Sequence, residues 1–469
     1  MRGAKMRTAF AVSSVILAMG GIVLLRAKPS LGTSTPTSIT TTTAVGQNGA
    51  SFHGNGVHGT LNLTHTRVTG GQHFFAELTM GADKTDNAIA RAPASLAVVL
   101  DVSGSMSGEK LEQAKRAVIT LIESMHSDDE ISVTVYSDSA EVIQHETSVG
   151  SVRGSLVEKV RGLRVRGGTN IPSGLRAGLT ELEGVSRGRV RRIVLASDGL
   201  DDSRTMADEL AKRAFNEGIT VSSLGIGVDF NESYMGGIAS TGHGNFVFVN
   251  DERTLTTFLR RELDEASQTT AERATFNLRL PAGVTFVRAI GADARVLDGQ
   301  LEVPMGALFA GDERRVVVEL AADIGSRAAI EATASWDLVG KGSERASLSS
   351  ISLLATNDRE EAERSKDPIV FAGVTSVLAS DRQIRATEAY AKGDVAVADG
   401  LIQQNVAELK EAMKGAPPSA AAPLQKQASS YESAAQSFGS MAPSSAGGKA
   451  LAKKSRAMDQ GNVGRKEAF

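Results

Sequence analysis

The chain has 469 residues and nearly balanced charges, with 51 Lys and Arg against 54 Asp and Glu. Acidic and basic residues are mixed along the body without a basic and aromatic stripe, so the composition does not favour a nucleic-acid partner. Cysteine is absent, which excludes disulfide bonds and thiolate metal sites. A chain of this length can bury a sizeable hydrophobic core without disulfide bonds.

The first 28 residues have the pattern of an export signal. Basic residues flank an apolar run from Thr8 to Leu25, and these roughly eighteen residues are just enough to cross a bilayer. No clear small-x-small cleavage site follows, which favours an uncleaved membrane anchor. Because the positive charge is heavier before the run, we expect the body on the extracytoplasmic side, in the periplasm or on the cell surface. Cleavage of the segment would instead make the protein secreted.

Short strands are predicted on both sides of the central region. Residues 29–56 are mainly Thr, Ser, Gly and Pro, a composition typical of a flexible linker. Apolar residues then alternate with polar ones from Phe74 to Met80 and again from Ala274 to Leu280. Further short strands up to Leu353, separated by Gly, Asp and Pro, indicate a β-sandwich. We expect the strands on both sides to belong to one sandwich.

Between residues 93 and 268, predicted strands alternate with helices. An apolar strand from Leu96 to Leu100 is followed by a helix with apolar residues three and four apart, from Leu111 to Met125, and by a β-branched strand from Ile131 to Tyr136. This alternation predicts an α/β fold with a doubly wound, mostly parallel sheet. Such sheets bind ligands at the carboxyl ends of their strands.

Oxygen-bearing side chains are concentrated at two such strand ends. Asp101, Ser103 and Ser105 follow the first strand at a spacing of two, and Asp198 ends a later apolar strand. Thr169 lies in a Gly-Gly-Thr-Asn segment between them. Carboxylates and hydroxyls suit Mg²⁺, Mn²⁺ or Ca²⁺, whereas Zn²⁺ prefers His or Cys. A lone Asp-x-Ser-x-Ser string also occurs in ordinary turns, but the three pieces in this order indicate a metal site.

These motifs resemble the von Willebrand factor A (VWA) domain. Its metal-ion-dependent adhesion site (MIDAS) combines Asp-x-Ser-x-Ser with a Thr in a later loop and an Asp after a later strand. The resemblance covers about residues 93–267, although Ser197 stands where the family usually has Thr. It implies a divalent cation, most naturally Mg²⁺, with one coordination position left for a partner's carboxylate. The implied metal ligands are Asp101, Ser103, Ser105, Thr169 and Asp198.

Helical periodicity begins beyond residue 356. Apolar spacing up to Tyr390 and again from Val397 to Leu409 predicts an antiparallel hairpin, similar to one tetratricopeptide unit. We expect it to pack against the sandwich, with pairing to another chain as the alternative. From Gly415 onward, Ala, Ser, Pro, Gly and scattered basic residues predict a disordered tail. The predicted regions are 1–28 (signal or anchor), 29–56 (linker), 57–92 (sandwich strands), 93–268 (VWA domain), 269–356 (β-sandwich), 357–414 (helical hairpin) and 415–469 (basic tail).

The functional prediction depends on the VWA resemblance. The seven His residues lack the spacing of a metalloprotease and no nucleophile elbow occurs, so the sequence does not indicate an enzyme. By layout, the chain is similar to bacterial VWA proteins and to inter-alpha-trypsin inhibitor heavy chains. The resemblance implies a metal-dependent protein-binding protein of the cell envelope, acting in adhesion or as a scaffold, whose partner presents Asp or Glu to the cation. The alternatives are a metal-dependent hydrolase, and a structural envelope component in which the metal only stabilises loops.

Overall fold

A computed structural model describes residues 37–39, 42–45, 47–84, 92–186, 188–198, 201, 203–226, 231–249 and 252–464. The predicted anchor segment, Thr8 to Leu25, lies outside these residues. Within the described ranges, no helix combines the length and the apolar character that a membrane span needs. The described residues belong to one compact unit.

The N-terminal strands include part of the predicted linker. They are β1 (Thr37–Ile39), β2 (Thr42–Val45), β3 (Gly49–Gly54), β4 (Val57–Leu63), β5 (Arg67–Val68) and β6 (Gln72–Ala82). Strands β2, β3, β4 and β6 are neighbours in one antiparallel ribbon. Residues 37–54 thus contain strands where the sequence predicted a flexible linker. The Thr residues of that segment are β-branched and favour extended backbone once neighbouring strands supply hydrogen bonds.

The central region is a doubly wound α/β domain. Its strands are β7 (Ala94–Asp101), β8 (Glu130–Tyr136), β9 (Ala140–Ser148), β10 (Val190–Ser197), β11 (Ile219–Ile226) and β12 (His243–Val249). Its helices are α1 (Glu109–Ser124), α2 (Val149–Arg161), α3 (Ile171–Glu183), α4 (Arg204–Asn216), α5 (Glu232–Thr241) and α6 (Glu252–Ser267). The sheet order is β12-β11-β10-β7-β8-β9, and only the edge strand β9 pairs antiparallel in this sheet, as far as the structure describes it.

The layers of this domain explain its apolar strands. Helices α1, α2 and α6 pack on one face of the sheet, and α3, α4 and α5 pack on the other. Strands β7, β10 and β11 are therefore buried along their whole length. Because β7 and β10 are adjacent and parallel, their carboxyl ends meet at one edge of the sheet.

The chain then returns to the sandwich. The strands are β13 (Thr269–Arg279), β14 (Val284–Ile290), β15 (Arg295–Leu297), β16 (Gln300–Phe309), β17 (Glu313–Ala322), β18 (Arg327–Leu338), β19 (Gly342–Ser347) and β20 (Ile351–Ala355). Strand β17 pairs with β6 along its full length. The prediction that strands from both sides of the α/β domain share one sandwich is therefore confirmed. Between its two sheets, Phe52 stacks on Trp336 with ring centroids 5.3 Å apart.

The C-terminal region is a layer of helices. They are α7 (Arg359–Arg364), α8 (Pro368–Ala391), α9 (Val395–Gly415), α10 (Pro418–Ser440) and α11 (Ala446–Gly464). Helices α8 and α9 form the predicted hairpin and are followed by α10 on α9 and α11 on α8. The structure thus has two packed helices where the sequence predicted a disordered tail. Their many Ala residues suit a helix, and small side chains allow helices to approach closely.

Buried polar side chains join these helices to one another and to the sandwich. The Tyr431 hydroxyl donates to Asp459 Oδ1 at 2.5 Å, and Gln427 Nε2 donates to the Tyr431 hydroxyl at 2.9 Å. Arg315 of β17 donates to both the main-chain and the side-chain oxygen of Asn462 at 2.8 Å. Burial raises the pKa of Asp459 to about 7. Helix α11 is therefore held by directed contacts that composition does not reveal.

Candidate metal centre

The two strand ends that carry the predicted carboxylates lie side by side. In the parallel register Leu100 of β7 is opposite Ala196 of β10, so Asp101 and Ser197 come at the same level. The Ser197 hydroxyl donates to Asp101 Oδ2 at 2.7 Å. Asp101 and Ser197 are both fully buried, and Asp198 is 4% exposed. The sheet therefore fixes both carboxylates at its carboxyl edge.

A chain of hydrogen bonds connects four of the five predicted ligands. The Ser103 amide donates to Asp101 Oδ1 at 2.7 Å, and the Ser103 and Ser105 hydroxyls are 3.0 Å apart. The Ser105 hydroxyl then donates to Asp198 Oδ1 at 2.8 Å, across 93 residues of sequence. The structure thus brings Asp101, Ser103, Ser105 and Asp198 together in one continuous network.

Thr169 lies in the loop beside this network. The Gly104 amide donates to the Gly167 carbonyl at 3.1 Å, which ties the loop to the Asp-x-Ser-x-Ser turn. Gly167 has φ +61°, and a Cβ there would meet the carboxylate of Asp138, so the position favours glycine. Thr169 itself is half-buried, and among the described residues no hydrogen bond joins its hydroxyl to the other four.

Electrostatics make this edge receptive to a cation. Burial raises the pKa of Asp101, and the charge of Asp198 acts in the same direction. Lys110, in the first turn of α1, forms an ion pair with Asp198 Oδ2. The Lys110 side chain is 35% exposed, whereas that of Asp198 is 0% exposed. The buried carboxylate of Asp198 therefore pairs with a positive charge on its solvent side.

The donor set fits a hard divalent ion. Two carboxylates and two hydroxyls converge, with a third hydroxyl on the adjoining loop, and such oxygens with water complete the coordination of Mg²⁺, Mn²⁺ or Ca²⁺. In the described ranges no group of three or more His, Cys, Asp or Glu side chains is arranged to hold a metal. The candidate site thus depends on its hydroxyl groups, and Asp101, Ser103, Ser105, Thr169 and Asp198 are the residues that would hold the ion.

Three nearby residues were not predicted as part of the site. Ser197 was noted only as a departure from Thr, yet its hydroxyl positions Asp101. No sequence pattern indicated a role for Lys110, which lies five residues after Ser105. Asp201 accepts the Ile171 amide at 2.6 Å and the Ser203 amide at 2.7 Å, so it links the starts of α3 and α4, and this agrees with a capping role.

Comparisons with known proteins identify the central domain. Residues 95–261 match the von Willebrand factor type A domain. An uncharacterized protein of Synechocystis is 32% identical over 182 residues, which cover 38% of this chain and 43% of that protein. Inter-alpha-trypsin inhibitor heavy chain H3 of Homo sapiens is 27% identical over 165 residues, covering 32% and 18% of the two chains. The chain therefore spans less than half of the length of these relatives.

A solved structure extends the likeness beyond this domain. A von Willebrand factor type A protein from Catenulispora acidiphila has a TM-score of 0.63 at 18% sequence identity, covering 83% of this chain and 91% of that one. At this identity the likeness concerns the fold alone. The predicted α/β fold with additional sheets and C-terminal helices is confirmed, and the chain contains a VWA domain.

Proposed function

We propose that the VWA domain holds a divalent cation, most naturally Mg²⁺, and uses it to bind an Asp or Glu side chain of a partner protein. The observation that carries the proposal is the hydrogen-bonded network of Asp101, Ser103, Ser105 and Asp198 at the edge where β7 and β10 end. The buried carboxylate of Asp198 in this network pairs with the cationic group of Lys110 from the solvent side. VWA domains commonly mediate metal-dependent contacts between proteins, which supports the same function.

The chemistry of the site favours an anionic ligand. Hydroxyl ligands carry no charge, so a cation held mainly by Ser and Thr oxygens keeps more of its positive charge than one surrounded by carboxylates. A partner's carboxylate at an open coordination position would complete the shell and reduce this charge. Binding would then require both the metal and an acidic residue of the partner.

We further propose that the body of the protein lies outside the cytoplasm and is anchored by the segment from Thr8 to Leu25. The apolar length of that segment and its basic N-terminal flank support this location. Protease treatment of intact cells or spheroplasts should degrade the VWA domain, and protection of the domain until the cells are lysed would contradict the proposal.

The binding proposal is tested by capture of partners from the native cell envelope. The body of the protein is immobilised, and capture is compared in Mg²⁺, in chelator, and with the Asp101→Ala variant. We expect a partner that is retained only by the wild type in Mg²⁺. A hydrolase would instead turn over its substrate in the presence of metal, and a structural metal would change stability without changing capture. Capture that survives both chelation and Asp101→Ala would overturn the proposal.

A further inference from the structure

A shallow groove lies beside the candidate metal centre. It has a volume of about 510 Å³ and runs between β9, α3 and the first turn of α4. Its walls combine apolar and polar side chains, and the residues used below are Val142, Asn170, Pro172, Ser173, Arg176 and Met206.

The groove is continuous with the loop that carries Thr169. Asn170 follows Thr169 directly, and its Oδ1 accepts the Ser173 amide at 3.0 Å as the N-cap of α3. The Asn170 Nδ2 donates to the Asp138 carbonyl at 3.2 Å. The Ser173 hydroxyl accepts the Ala140 amide at 2.9 Å, which joins α3 to β9. The same hydrogen bonds between this loop, α3 and β9 therefore hold both the groove and the loop of the candidate metal centre in place.

Arg176 places a positive charge in the groove. The other charged residue that lines the groove, Glu181, contacts His145 and accepts the Glu146 amide, and does not pair with Arg176. Its side chain is exposed, and within the described part of the chain its polar contact is Met206 Sδ at 3.6 Å, with no carboxylate paired to it. Two other exposed arginines of this domain do have acidic partners: Arg166 pairs with Glu141 and Arg213 with Glu183. Beside Arg176, Met206 is 47% exposed and adds an apolar contact surface to the groove.

We propose that this groove binds the segment of the partner that follows its metal-bound acidic residue, and that Arg176 pairs with a second acidic residue in that segment. The inference rests on the proposed function. Arg176 lies six positions after Asn170, which corresponds to about 9 Å along the axis of α3. An extended peptide advances about 3.3 Å per residue, so the second acid lies about three positions from the first. An apolar side chain between them packs on Met206, Val142 and Pro172.

The test uses synthetic peptides on an array at fixed density. Each peptide has a Gly and Ser background, one Glu followed by Leu, and either no second Glu or a second Glu two to six positions after the first. The labelled body of the protein is applied in Mn²⁺ and in chelator, as wild type, Arg176→Gln and Arg161→Gln. Arg161 is a matched control because it is an exposed arginine of α2, on the opposite face of the sheet.

We expect Mn²⁺-dependent binding that is about twofold to fivefold stronger when the two Glu residues are three apart than when one is alone. Arg176→Gln should reduce this binding to the level of the single Glu, and Arg161→Gln should leave it unchanged. Equal binding by Arg176→Gln and wild type, with metal dependence intact, would overturn the inference and leave the proposed function standing. If no peptide binds in a metal-dependent way, the proposed function fails, and this inference fails with it.

Discussion

The carboxyl edge of the α/β sheet and the C-terminal helical layer both depend on buried polar side chains, but they differ in how those side chains are encoded. At the sheet edge, Asp101, Ser103 and Ser105 are local in sequence and follow an apolar strand. In the helical layer, Ser376, Tyr431 and Asp459 come from three different helices and are separated by tens of ordinary residues.

This difference explains why the sequence predicts the polar network at the sheet edge but not the one between the helices. A metal-binding turn needs several oxygens within a few residues, so its spacing is conspicuous. A polar network between helices needs only one oxygen or nitrogen per turn, placed among Ala and Ser, and resembles the composition of a disordered tail. Alterations of the first region should therefore change function, and alterations of the second should change stability.

The largest expected effect is the loss of metal binding in Asp101→Ala. Removal of this buried carboxylate leaves one acidic ligand and removes the acceptor of the Ser103 amide, so we expect Mn²⁺ affinity to fall by at least about 100-fold. Calorimetric titration with Mn²⁺ measures this. Ser105→Ala is a second variant, because Ser105 is exposed and its removal leaves the buried contacts of Asp101 intact. If both variants bind Mn²⁺ with wild-type affinity, these residues do not form the metal site.

In the helical layer, stability should depend on the protonation of Asp459. Burial raises its pKa from 3.8 to about 7, so the folded state is most stable when Asp459 is neutral. This contribution to the free energy of unfolding is complete below about pH 4 and is lost as the pH rises to about 7. A difference of about 3 in pKa corresponds to about 4 kcal/mol. Relative to wild type, Asp459→Asn should therefore gain unfolding free energy between pH 4 and pH 8 in urea titrations. Parallel pH profiles for the two proteins would contradict this role.

A smaller effect is expected from Asn462→Ala on α11. The substitution removes a hydrogen bond to the guanidinium of Arg315, which is 6% exposed, and should lower the free energy of unfolding by about 2 to 3 kcal/mol. Lys454→Ala, at an exposed position of the same helix, is the control and should change stability by less than about 0.5 kcal/mol. If the two variants have the same free energy of unfolding, the contact between Asn462 and Arg315 does not contribute to stability.

The smallest effect concerns Lys110. Its ammonium competes with a divalent cation for Asp198. Lys110→Gln should therefore raise Mg²⁺ affinity by up to about tenfold, and more at low ionic strength than at high. Lys159→Gln, at an exposed position of α2, should leave the affinity unchanged. Weaker Mg²⁺ binding by Lys110→Gln would show that Lys110 supports the ion rather than competing with it.

Much of the central domain follows from local sequence features. The apolar runs before Asp101 and before Asp198 predict buried parallel strands, and the strand order places both acids at one edge. Alternating residues around Phe74 and Ala274 also predict the shared sandwich. These inferences succeed because burial of a strand on one or two faces directly sets its pattern of apolar residues.

The remaining features depend on tertiary contacts. Ser197 and Lys110 act through partners that only folding brings near, and Arg176 is distinctive only because no acidic side chain in the described structure pairs with it. Helices α10 and α11 have polar, Gly-containing sequences whose order depends on the buried contacts of Tyr431 and Asn462. None of these residues has a neighbour in sequence that reveals its role.

The most direct test of the account is a crystal of the VWA-containing body soaked in Mn²⁺ and measured for anomalous diffraction. We expect a strong anomalous peak bounded by oxygens of Asp101, Ser103, Ser105, Thr169 and Asp198, with Lys110 displaced from Asp198. Absence of a peak at this edge, in crystals whose lattice leaves it open to solvent, would contradict the central claim that these residues form a metal centre.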